Sequence, residues 1–288
     1  MITELRSKEL IVQIKNAGAE LVSIKNCEGL EFLWQAKPDI WPRHAPVLFP
    51  IVGKLRDNVY KFKDSTFNLS QHGFARDMDF VVSEKSIHHC TLTLKSSAET
   101  LKKYPFEFNF NITYSLSGST LKCIYSVLNT GKADLIFGVG AHPGFNCPLM
   151  PHERFEDYFL EFEKSHYELT SLKDGLREIS TTSLQLQQNR LPLTPTLFDN
   201  DALVFENRQI NKLTLRSQKS SHKVEIVSEG WPYYGIWSKK GCREFVCLEP
   251  WYGITDKSSA SGQLDEKDGM ITLHPEKSFN CEFSISLS

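Results

Sequence analysis

Apolar and polar side chains alternate one for one through much of this chain: Leu10 to Lys15, Phe67 to Ser70, Thr91 to Lys95, Phe106 to Leu116, Leu121 to Leu128, Lys212 to Arg216, Lys223 to Val227 and Phe279 to Leu287. Successive side chains of an extended strand point to opposite faces, so a period of two is what a half-buried sheet requires, and helices need a spacing of 3.6 instead. Turn residues separate the runs at Asn16-Ala17-Gly18, Ser117-Gly118-Ser119 and Asn129-Thr130-Gly131, which makes antiparallel hairpins and meanders the simplest connections. The expected class is all-β and mostly antiparallel. One helix is predicted where Ser96, with Glu99 three residues on, forms a capping box; Lys102 and Lys103 suit its C-terminus, and Pro105 stops it after about two turns.

A chain of 288 residues can make one large β domain or two ordinary ones. Between Gly140 and Pro151 the composition shifts to Gly, Pro and Asn, but strand patterns of one kind continue on both sides, so a single domain over 1–288 is expected. With 40% hydrophobic and 24% charged residues the chain has the balance of a globular protein rather than a disordered one. A net charge of −2 argues against nucleic acid as a partner, since phosphate binding needs clustered positive charge; a small neutral or singly charged ligand fits better. The amino terminus does not read as a secretory signal and no run of about 18 apolar residues suggests a membrane helix, so the expected location is cytoplasmic. Seven scattered cysteines without a C-x-x-C pair read as reduced, packed thiols, with no metal site expected. Monomer and homodimer both stay open.

Four segments break the alternation. In Phe245-Val-Cys-Leu-Glu249 a period of two puts Phe245, Cys247 and Glu249 on one face, so a carboxyl group occupies an apolar position, and Pro250 is expected to end the strand there. Partial burial raises a glutamate's pKa and suits general-base duty; an edge Glu paired with an Arg is the plainer alternative. His142 follows the apolar run Leu135 to Val139 and lies between Ala141 and Pro143 in a Gly-rich turn, where an imidazole can give and retake a proton near neutrality, or simply be solvated. His72 sits in Gln71-His-Gly-Phe-Ala-Arg76, whose Arg76 offers a planar fork for hydroxyls or phosphate; a hairpin corner with a surface arginine is the other option. The fourth, Val47 to Asp57, carries Gly53, Lys54 and Arg56. Aromatic residues adjoin these motifs, among them Phe74, Phe145, Trp237, Trp251 and Tyr252, and aromatic faces stack on the C–H faces of sugar rings.

Taken in order, Phe49-Pro50-x-x-Gly53, Gln71-His-Gly-Phe-Ala-Arg76, Gly140-Ala-His-Pro-Gly-Phe-Asn146, Leu197-Phe-Asp-Asn-Asp-Ala-Leu203 and Cys247-Leu-Glu-Pro-Trp251 resemble the aldose 1-epimerase (galactose mutarotase) family, in the branch resembling the LacX proteins. The resemblance spans essentially the whole chain. It implies a β-supersandwich of two large antiparallel sheets with one or two short helices, and a mutarotase that interconverts the α and β anomers of a hexose without a cofactor. By motif position it makes Glu249 the base, His142 the acid and His72 the second, sugar-binding histidine. Asp201 falls near a hydroxyl-binding aspartate, and Arg76, Lys54, Arg56, Phe145 and Trp251 are further substrate-binding candidates. Where the family carries Asn-Arg this chain has Gly53-Lys-Leu-Arg-Asp57, and its His-x-Tyr-Phe-Asn becomes His142-Pro-Gly-Phe-Asn146, which leaves the choice between Lys54 and Arg56, and the hexose itself, open. The alternatives are a hexose-6-phosphate mutarotase using Arg43, Lys54, Arg56 and Arg76, a non-catalytic carbohydrate-binding protein, and a glycosidase, whose usual second carboxylate is not evident.

Overall fold

The computed structural model describes residues Met1–Ser288. It contains 24 strands, and every ladder between them is antiparallel. Strands Leu10–Lys15, Phe108–Ser117, Thr120–Asn129, Lys212–Ser217, Lys223–Val227 and Ser278–Leu287 fall on the alternating runs. In Phe108–Ser117 the apolar positions are buried and the residues between them half exposed, so the pattern sets which face turns inward.

The expected two-sheet supersandwich with one or two short helices is corrected by the strand pairing. The strands divide among five separate open sheets of three, nine, two, eight and two strands. The nine-stranded sheet ends at Val81–Lys85 and Arg190–Pro192 without closing on itself. The three-stranded meander Ile2–Asn26 and the hairpin Val59–Asn68 form ladders only within themselves, their partners supplied by the next turn in the chain, and reach the rest of the protein through single bridges such as Ala17 with Asp79 and Lys61 with Gln263. Helix is confined to the six residues Ala98–Lys103 and three 3-10 turns. Its cap is Ser97, one residue later than expected: the Thr100 N–H donates to Ser97 Oγ, and the Ser97 N–H donates to the Thr100 hydroxyl oxygen. No helix is long and apolar enough to cross a membrane.

A core of 67 buried residues draws side chains from all five sheets, among them Val12, Phe110, Tyr60, Leu135 and Leu248. Each fully buried side chain of this size contributes roughly 1.5–3 kcal/mol relative to exposure.

The eight-stranded sheet carries the feature that matters for chemistry. Its strand Phe245–Tyr252 is flanked on one side by Tyr233–Trp237. On the other side two short strands share it: Gly144–Asn146 pairs with residues 245–247 and Val139–Ala141 with residues 251–252. His142-Pro143 is the break between them, so residues 248–250 face a gap in the ladder. The Leu248 N–H points into that gap, to Pro143 O at 3.1 Å. Backbone N–H groups alternate sides along a strand, so position 250 also faces the gap, where no donor is needed. Pro250 is therefore accommodated inside the strand, which continues to Tyr252 instead of ending at Pro250.

Candidate active site

Glu249 lies in the middle of that strand, opposite the gap, and is 1% exposed. A carboxyl group stripped of water resists ionisation, and burial pushes Glu249 well above the usual carboxylate range. His142, in the break itself, brings Nε2 to 3.2 Å from Glu249 Oε2. Burial acts in the opposite sense on an imidazole, and lowers His142 to about 3. The 3.2 Å approach lacks the angles of a hydrogen bond, so Glu249 Oε2, like His142 Nδ1, has no hydrogen-bond partner within the protein. Buried polar atoms left free at one spot are what an incoming polar ligand satisfies.

His72 has a left-handed backbone, φ 67°, uncommon for a residue with a side chain and held here from two directions. Its N–H donates to Gly53 O at 2.8 Å, and the Gly53 N–H donates to His72 Nδ1 at 3.1 Å. Gly73, next in the chain with φ 71°, packs so closely on Phe49 O that a Cβ would overlap it. Because Nδ1 accepts from Gly53, the neutral ring carries its proton on Nε2, and the Gln71 amide 3.3 Å away must present its oxygen there. Burial, helped by His142, Arg76 and Arg43, holds His72 well below its ordinary pKa, so the ring is neutral. The two imidazoles meet edge to face with centroids 5.5 Å apart.

All three side chains line one cavity of about 480 Å³, with Lys54, Arg76, Asp201 and Trp251 among the other expected residues. The Trp251 ring lies across Gly140 and Gly235 of the flanking strands, where a Cβ would displace it. Arg76 donates from Nη2 to Gln71 O at 2.7 Å, while its Nε is buried without a partner. Lys54 Nζ bonds Asp174 O at 3.1 Å. Two expected contacts are not made. Arg56 turns away from the cavity toward Asp57, its backbone N–H taken by Asp256, and Phe145 is a fully buried core residue. Both adjoin site motifs in sequence, but each sits on the wrong side of its backbone.

The cavity also uses Gln71 of the His72 motif and Trp237, one of the aromatic residues named beside the motifs, together with three residues the sequence pattern did not mark: Trp41, Asp174 and Thr255. Trp41 stacks on His142 at 5.0 Å and on Phe245 at 5.3 Å, and Gly144 leaves room for it, since a Cβ there would come 2.8 Å from Trp41. Trp237 meets the His142 ring edge-on. The Asp174-Gly175 dipeptide, both residues at positive φ, forms the tip of the hairpin His166–Gln185, and an Asp-Gly pair is a turn signal that would have found it. No local signal marks Trp41 or Thr255.

The model of the aldose 1-epimerase family matches residues 1–286. The chain belongs to the aldose 1-epimerase family. Among its relatives, the chromosomal protein LacX of Lactococcus lactis subsp. lactis is 33% identical over 299 aligned positions that cover 100% of this chain and 99% of that one. The structure of a galactose mutarotase related enzyme from Lactobacillus acidophilus superposes with a TM-score of 0.96 at 39% identity, covering 100% of this chain and 97% of the other. A galactose mutarotase-like protein from Lactobacillus casei ATCC 334 gives 0.92 at 33% identity, with both chains covered completely.

In this aldose 1-epimerase family member one donor set has metal-ligand chemistry: His142, Cys247 and Glu249 offer atoms within 4.8 Å of one another. Cys247 is fully buried against Trp34 and Phe245, and burial holds its thiol well above the ordinary pKa, so it is protonated. A cation there would have to displace protons from both the thiol and Glu249, so the set does not fit a bound metal ion as it stands.

Proposed function

We propose that this protein is a mutarotase of the LacX-like branch, folded as one domain, that interconverts the α and β anomers of a hexose. One observation carries the assignment: His142 Nε2 and Glu249 Oε2 are 3.2 Å apart at a cavity that also holds His72. Opening a pyranose takes a proton from the C1 hydroxyl and gives one to the ring oxygen. Both oxygens are bonded to the same carbon, so the base and the acid that serve them must be neighbours. The proton that buried Glu249 holds first passes to His142, 3.2 Å away; the resulting carboxylate then removes the hydroxyl proton, the imidazolium protonates the ring oxygen, and the C1–O5 bond opens to the aldehyde. Rotation about C1–C2 presents the other carbonyl face, and reclosure runs both transfers backwards. The pair ends as it began, with no net change in protons. His72, fixed as the Nε2–H tautomer, turns that donor from the Gln71 amide to a sugar oxygen; Asp201 accepts from hydroxyls, and Trp251 and Trp41 offer apolar faces. The continuous core supports a single domain, and seven unpaired cysteines fit a reducing cytoplasm.

A phosphorylated hexose is the second substrate considered, because Arg43 and Arg76 share the one carboxylate of Asp77, at 2.8 and 3.8 Å, the longer contact leaving the buried Arg76 Nε without a hydrogen bond. Polarimetry on freshly dissolved α-glucose, α-galactose and α-glucose 6-phosphate tests both. Optical relaxation of at least one sugar should exceed the spontaneous rate in proportion to enzyme. A preference for the phosphate that weakens with salt would select the second substrate. Spontaneous rates for all three would refute mutarotation of these hexoses.

A further inference from the structure

Behind the cavity wall lies a buried ionic group to which the proposed proton chemistry assigns no part. Arg177, just past the Asp174-Gly175 hairpin tip, is 4% exposed. Its Nη1 donates to both oxygens of Glu206, at 2.9 and 3.1 Å, its Nη2 to Asp268 at 2.5 Å, and its Nε to the Thr255 carbonyl at 3.0 Å. Its backbone N–H bonds Asp256 O, and its carbonyl accepts from Ser258. Desolvating such charges costs more than their mutual attraction reliably returns, so an ionic group of this kind is weak evidence for stability and better attested as a device that fixes one arrangement.

What it fixes can be followed bond by bond. The Thr255 hydroxyl lies 2.7 Å from Gly175 O, at the hairpin tip, and accepts the Lys54 N–H at 3.0 Å. Gly53, before Lys54, fits against Thr255 so tightly that a Cβ would come 2.5 Å from Thr255 Cβ. The Gly53 N–H is the donor that sets the His72 tautomer. Asp256 braces the same loop from the other side, accepting the Arg56 N–H at 3.0 Å and the buried Lys267 ammonium at 2.8 Å. Thus the hairpin tip, the loop at residues 53–56 and the segment at 254–256, three walls of the cavity, are tied to one guanidinium that does not itself line it.

We propose that Arg177 is a positioning residue of the sugar site, acting through Thr255 to hold the hairpin tip and the Gly53 amide so that His72 keeps its Nε2–H toward the substrate. This rests on the assignment of the cavity to a hexose, but it has a readout that needs no sugar. In protein labelled with ¹⁵N-histidine, long-range ¹H–¹⁵N spectra of the sugar-free wild type should show His72 as a single tautomer with a bare Nδ1. Arg177→Lys, which keeps the charge and loses the fork, and Thr255→Val, which keeps the shape and loses the hydroxyl, should both mix the tautomers. In mutarotation both should raise KM at least ~10-fold with a smaller change in kcat, as expected for misplaced binding groups. A second cavity of about 290 Å³, lined by Arg177 itself, gives access for rescue: guanidinium ion added to Arg177→Ala should restore KM toward wild type. Thr255→Val decides the matter if the Arg177 variants fail to fold. A wild-type His72 spectrum in folded Arg177→Lys or in Thr255→Val overturns the proposal, whether or not the wild type turns over a hexose. Absence of turnover by the wild type would instead overturn the mutarotase assignment.

Discussion

At the scale of single residues, the acid/base pair should reveal itself through pH. The unfolded chain takes up a proton on His142 near its ordinary pKa of 6.5, whereas the folded molecule refuses it until about 3. This group therefore leaves stability untouched above about pH 6.5 and lowers it as the pH falls toward 3. Between pH 7.5 and about pH 5 the loss amounts to about 2 kcal/mol, from one and a half pKa units at about 1.4 kcal/mol each. Glu249 shifts the opposite way, its raised pKa favouring the folded state at low pH, and is present in both proteins compared. Urea unfolding of wild type and His142→Gln at the two pH values should show the variant losing less stability on acidification. Parallel losses would mean that the folded imidazole protonates at its ordinary pKa. Glu249, His142 and His72 could be picked out from sequence because each is a titratable residue in a segment that breaks the alternation. Arg56 and Phe145 were drawn in by adjacency, and proximity in sequence does not say which way a side chain points. Trp41 reaches His142 from a loop some hundred residues upstream, a contact that no local pattern encodes.

Among elements, the site depends on two glycines that let Trp251 lie flat against its neighbouring strands. A methyl group at Gly235 would occupy the space of the indole ring, with no positive φ to complicate the substitution. Gly235→Ala should destabilise the protein by roughly 1–3 kcal/mol, the usual cost of overpacking, and should change the near-ultraviolet circular dichroism of the displaced tryptophan. Unchanged spectra and stability would show that the ring has room elsewhere. The strands were legible because alternation is a local property. The end of the Phe245–Tyr252 strand was not, because Pro250 is tolerated only by virtue of the gap left by two separate partner strands. The same gap admits His142 to Glu249, so the continuation of the strand past Pro250 and the site have one cause. The helix begins one residue later than the pattern predicts because Ser96 and Ser97 are both competent caps, and Thr100 rather than Glu99 completes the box.

In the whole molecule, strand content followed from sequence while the division into five open sheets did not. Hairpin pairing is dictated by the turn between two strands, but pairings such as Thr120–Asn129 with Ser278–Leu287 join residues 150 or more positions apart and depend on the assembled core. That assembly is also what brings His72, His142 and Glu249 together. If they act as one unit, removing one member should cost nearly as much as removing two. The direct measurement is a double-mutant cycle by polarimetry on the preferred hexose, using His142→Gln, Glu249→Gln and the combined variant. Each single variant should lose at least ~10²-fold in kcat/KM, and the double variant should be little worse than the poorer single. Losses that multiply, or a Glu249→Gln protein as fast as the wild type, would contradict a shared acid/base site.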